Sequence, residues 1–155
     1  MTDHKPMFPI PLSEIEITIE TNVFMEPEGN FKLSIQGTGE VELKPRSYTL
    51  IEPISLTIQP EQVKDLIAAT LEIGFFQMED NYSEESELTV TPEGTIDQGF
   101  GTILDGEATT YTVKMGQHTK SLYAHYGFPK RLRWFYDLVL DVVGVSEILE
   151  EWIQD

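Results

Sequence analysis

Apolar and polar positions alternate with period two over IEITIE (15–20), with Ile15, Ile17 and Ile19 on one side and Glu16, Thr18 and Glu20 on the other. That is the pattern of a strand buried on one face. FKLSIQ (31–36) repeats it with Phe31, Leu33 and Ile35, and Val41 and Leu43 resume it after QGTG. The glycines at 37 and 39 permit the positive φ of a tight turn, so this stretch reads as a hairpin. ISLTI adds a further strand through Ile54, Leu56 and Ile58. The period then changes. Val63, Leu66, Ile67 and Leu71 fall at helical spacing, Pro60 suits a first turn and Gly74 a left-handed end. Phe75 and Phe76 follow, placed to close the core under this helix.

Residues 78–107 are acidic, glycine-punctuated and alternate only briefly at LTV, which predicts a long acidic loop around one short strand. TTYTVKM (109–115) then pairs with 118–125 across Gly116-Gln117. That turn sets the register: Lys114 opposite Thr119, Tyr111 opposite Leu122. Tyr111, Val113, Leu122 and Ala124 share the core side, while Tyr123 and His125 lie on the other with Thr110 and Thr112. Pro129 opens a second helix with Leu132, Phe135, Val139 and Val142 on one face, ended by Gly144. Ser146 caps a short last helix carrying Ile148, Leu149, Trp152 and Ile153. Strands, helix, strands, helix predict an α+β fold: a curved antiparallel sheet built from hairpins, with two main amphipathic helices on one face and a short C-terminal helix. Residues 1–13, rich in proline, read as a flexible arm, and 14–155 as a single domain.

Composition narrows the chemistry. The 155 residues contain no cysteine, which excludes disulfides, thiol nucleophiles and thiolate metal sites. The apolar runs are far short of the roughly 18–20 residues of a bilayer span, and the N-terminal sequence has no signal-peptide pattern. A cytoplasmic, soluble protein is the expectation. Ten Lys and Arg face 27 Asp and Glu, for a formal net charge of −17. The imbalance is uneven: from Asp65 to Val113 there are eleven acidic residues and no basic one. Such a field repels nucleic-acid phosphate and anionic membranes and attracts a basic protein.

The run SLYAHYGFPKRLRWFYD (121–137) concentrates the candidate binding residues Tyr123, His125, Tyr126, Lys130, Arg131 and Arg133. Lys130, Arg131 and Arg133 fall in the first turns of a helix, where cations oppose the macrodipole, so carboxylate neighbours are expected for them. A nucleophile–histidine–carboxylate set would need a Ser or Thr, His125 or His118, and an acid such as Asp105, but no strained elbow presents a serine. The histidines at 4, 118 and 125 lack zinc spacing, EDNYSEESE does not match a calcium loop, and GTGEV precedes a strand rather than a helix. No catalytic residue, metal or cofactor is predicted.

The early strand, GTGEV, PEQVKDL followed by GFF, the stretch Asp105 to Met115, HYGFP and the C-terminal WI together resemble a bacterial family, domain-of-unknown-function family 6438, over about residues 15–153. Members of that family usually carry a cysteine pair where this chain has NVFMEPEGN, and many look exported. The resemblance implies a fold and no activity. The leading expectation is a non-catalytic interaction or scaffold module with an acidic surface, for a basic protein partner. The alternative is a small hydrolase or ligand-binding enzyme using Asp105, Tyr123 and His125.

Overall fold

A computed structural model describes residues 6–22, 30–46, 52–82, 84–102, 108–125 and 129–154. The elements in chain order are β1 (Ile15–Asn22), β2 (Phe31–Gln36), β3 (Glu40–Pro45), β4 (Ile54–Thr57), α1 (Pro60–Glu72), β5 (Asn81–Tyr82), β6 (Glu84–Val90), β7 (Ile96–Thr102), β8 (Ala108–Met115), β9 (His118–His125), α2 (Lys130–Val143) and α3 (Ser146–Gln154). The fold is α+β. Seven strands form one sheet in the order β4-β3-β2-β1-β8-β9-β5, antiparallel except where β5 joins β9.

Strand pairing turns the local alternation into continuous rows. Ile54, Leu43, Leu33, Ile19, Tyr111 and Leu122 stand opposite one another across six strands. A parallel row runs Leu56, Val41, Ile35, Ile17, Val113 and ends on Lys120. Because the pleat has period two, the reverse side carries the polar set Ser55, Glu42, Ser34, Thr18, Thr112 and Ser121. The β8–β9 register is the one that a two-residue turn at Gly116-Gln117 dictates, with Tyr111 opposite Leu122 and Lys114 opposite Thr119.

The apolar rows are covered by helix. Phe135 of α2 is fully buried, its ring 6.3 Å from Tyr111 on the sheet and 6.4 Å from Phe75 after α1. Tyr136 reaches Phe31, ring to ring, at 6.4 Å. Val63, Leu66 and Ile67 of α1 are buried as their spacing predicts, but Leu71 is exposed and Thr70 takes the inner position. Thr70 tolerates burial because its hydroxyl donates to the Leu66 carbonyl at 2.8 Å, so no polar group is left without a partner. Left-handed Gly74 and Gly144 close α1 and α2.

Gln62 joins the two long helices. Its side-chain oxygen accepts from the Gln59 backbone N–H at 2.8 Å, capping α1, and its amide donates to the Val142 carbonyl at 3.1 Å. Gln62→Leu is expected to destabilise by about 1–2 kcal/mol, since it removes a cap and leaves a helix-end carbonyl unpaired. Gln62→Glu keeps the acceptor and loses the donor, so its urea midpoint should fall between those of the wild type and the leucine variant.

Three sequence expectations change. Gly37 does not adopt positive φ, whereas Gly39 does, at 108°. The chain before β1 is anchored from Ile10, which packs on the core, and a 3-10 turn at Leu12–Glu14 follows; Glu14 then accepts from the Gly116 N–H at 3.0 Å. Residues 78–107 hold more than a loop with one strand. β5 extends the main sheet, and β6 and β7 form their own antiparallel hairpin. The hairpin forms because Thr91-Pro92-Glu93-Gly94 is a turn sequence with proline at its second position. Gly94 N–H donates to Thr91 O at 3.0 Å with φ 86°, and the Thr91 and Thr95 hydroxyls bond at 2.7 Å.

Candidate functional site

Tyr123, on β9, is exposed on the polar side of the sheet. His125 ends the same strand, opposite Ala108, and its side chain lies outside the described residues, as do Asp105 and Tyr126 altogether. Lys130 and Arg131 are exposed in the first turn of α2, and neither forms an ion pair among the described residues. Arg133 does: its Nε donates to Asp137 Oδ2 one turn along at 3.1 Å, and its guanidinium lies 5.9 Å from the Tyr136 ring centre. A carboxylate four residues on offsets the unfavourable dipole position of this cation.

The described structure gathers polar groups elsewhere, on the edge of β9. Lys120 occupies the place in the core-facing row where the other strands carry aliphatics, so its stem is buried and only 16% of its side chain is exposed. Its ammonium finds the Met78 carbonyl and, at 3.1 Å, the Asp80 carboxylate. Asp80 in turn accepts the Tyr123 N–H on its backbone carbonyl at 2.8 Å, where β5 begins to pair. Lysine thus pins the crossover from α1 to the sheet edge. Beside it His118 meets the Phe76 ring edge-on, at 6.3 Å and 84°. Phe76, Asp80, His118, Lys120 and Ser121 line an open cleft of about 470 Å³. His118 also lines a smaller groove of about 260 Å³ against Ile10 and Pro11.

The chemistry of this cleft is limited. The ammonium is neutralised by Asp80, and the Ser121 hydroxyl is bonded to Thr112 at 2.9 Å rather than to an imidazole. The cleft offers hydrogen bonds to a small polar group and no activated nucleophile. The buried tyrosine nearest α2 is equally unsuited to proton transfer. Burial pushes the Tyr111 hydroxyl far above the ordinary phenol range, the adjacent Tyr136 adds to this, and it stays protonated. Among the described residues no three His, Asp or Glu side chains gather as metal ligands would, and no helix is long and apolar enough to cross a membrane.

Sequence reasoning misses the Lys120–Asp80 contact because forty residues separate the partners. The one available signal is the register itself, which sends residue 120 to the apolar side. No protein-family model and no curated protein matches the chain, which leaves charge and geometry to carry the functional reading.

Proposed function

We propose that this protein is a non-catalytic binding module whose acidic exterior captures a basic protein partner. The observation that carries this is how the cations are used. Lys32, Lys44, Arg46, Lys64, Lys120 and Arg133 each stand 2.5–3.9 Å from a carboxylate of their own chain. Mostly solvent-exposed pairs of this kind contribute only about 0–1 kcal/mol each, so their effect is to neutralise rather than to hold the fold. What remains is the net charge of −17, which already sets every cation against a carboxylate. A field of that sign speeds the encounter of a cationic surface and repels phosphate.

The architecture fits the same reading. Helix packs on the apolar rows of the sheet, and the reverse face, exposed at Ser55, Glu42 and Ser121 though not at Thr18, is offered for contact. A soluble cytoplasmic setting suits a chain without cysteine.

Immobilised protein incubated with lysate is expected to retain one or a few basic proteins at about 50 mM salt and release them by about 500 mM, where screening shortens to a few ångströms. Retention should also weaken in acid, where carboxylates gain protons and lose their charge. Empty eluates, or retention indifferent to both salt and pH, would refute the proposal.

A further inference from the structure

The β6–β7 hairpin carries the largest exposed apolar group on the described surface away from the N-terminal segment. Leu88, Val90 and Ile96 are 70%, 77% and 71% exposed. They share one side: Val90 pairs with Ile96 across the hairpin, and Leu88 lies two residues back along the pleat. The reverse side presents Thr89 paired with Asp97, both exposed. Among the described residues the two strands pair only with each other, so each keeps one edge without a neighbouring strand there. Two strands alone are marginal in water, yet this turn is closed by backbone and hydroxyl bonds between Thr91, Gly94 and Thr95, so the hairpin is held ready while its apolar side stays wet.

Charge decides what fits there. Residues 84–102 contain five carboxylates (Glu84, Glu85, Glu87, Glu93 and Asp97) and no lysine or arginine. A second copy of the chain would set acid against acid at strand spacing, and an anionic lipid surface meets the same repulsion. We infer that the free edge of this hairpin takes an extended segment of the basic partner, alternately aliphatic and cationic, as a third strand. This rests on the reading of the protein as an acidic capture module. Strand addition gives backbone hydrogen bonds, and the pleat then sorts the side chains. The partner's aliphatics extend the Leu88–Val90–Ile96 surface, and its lysines or arginines project to the side of Asp97.

The test uses the full chain, isotope-labelled, and a synthetic Lys-Val repeat of eight residues, with Glu-Val and Lys-Ser repeats for comparison. The Lys-Val peptide is expected to shift the amides of β6 and β7 saturably, the Lys-Ser peptide to bind about tenfold more weakly, and the Glu-Val peptide not to bind. The combined variant Leu88→Ser, Val90→Ser, Ile96→Ser should weaken Lys-Val binding about tenfold while the amides of the seven-stranded sheet stay in place. Asp97→Lys, which leaves the apolar side intact, should weaken Lys-Val and admit Glu-Val. Equal binding of the acidic peptide, shifts confined to other strands, or a concentration-dependent dimer that the serine variant abolishes would each overturn the assignment. If lysate capture persists undiminished in both variants, the hairpin assignment falls and the capture module stands. If lysate capture is absent but the peptide still binds β6–β7, the module reading falls and the strand-adding edge remains.

Discussion

Replacing Phe135 by alanine is expected to lower stability by about 3–5 kcal/mol, the range for truncating a buried phenylalanine. The ring is wholly inaccessible and sits between Tyr111 of β8 and Phe75 beyond α1, so it ties α2 to the sheet and to the turn after α1. Alanine leaves a void facing two aromatic rings that are themselves tied to separate elements and cannot close over it together. Against a total of about 5–15 kcal/mol for a domain, this is a large fraction. In urea the midpoint should fall with an unchanged slope, because the surface exposed on unfolding stays the same. Phe135→Leu keeps most of the volume and should lose well under half as much. Trp134→Ala, one position along and 44% exposed, should stay within about 0.5 kcal/mol of the wild type. A Phe135→Ala loss as small as that of Trp134→Ala would mean that the three elements do not share one core.

What could be read from the chain divides along the range of the interaction. Short-range structure is legible. The alternation at Ile15, Ile17 and Ile19 names the buried side of β1, and a two-residue turn at Gly116-Gln117 is enough to count off the whole β8–β9 register. Pairing of β1 with β8 is not legible, since Ile17 meets Val113 across most of the chain and any half-buried strand would satisfy the same pattern. The β6–β7 hairpin is an intermediate case. Its turn residues Pro92 and Gly94 are visible, but glutamates in β6 and glycines in β7 hide strands whose stability comes from pairing rather than from propensity. Leu71 and Thr70 exchange places because helical spacing alone leaves about one position of rotation undetermined, and a hydroxyl able to bond its own helix makes the polar residue acceptable inside. The same limit governs the cleft. Alternation sends Lys120 toward the apolar side, but only the path of the chain after α1 brings Met78 and Asp80 to receive its charge.

Gly39→Ala should lower stability by at least about 2 kcal/mol. Two independent effects coincide there. The residue has φ 108°, a region that costs an L side chain roughly 1–3 kcal/mol. A Cβ would also stand 2.6 Å from the Ile58 carbonyl oxygen, a backbone atom with no rotamer to yield. That collision cannot be relieved by moving the end of β4, because Ile58 N–H donates to the Gly39 carbonyl at 2.9 Å and Gly39 N–H to Gln36 at 2.9 Å. The turn therefore joins β2, β3 and the chain leaving β4 at one point. Gly94→Ala separates the two effects, since φ is 86° but nothing lies within 4 Å of the new methyl group. It should lose only the conformational part, about 1 kcal/mol, and that loss should be confined to the β6–β7 hairpin. Urea unfolding followed by far-ultraviolet dichroism, with amide exchange to localise the change, measures both. If Gly39→Ala proves no worse than Gly94→Ala, the approach of Ile58 to this turn is wrong, and with it the placement of β4 at the sheet edge.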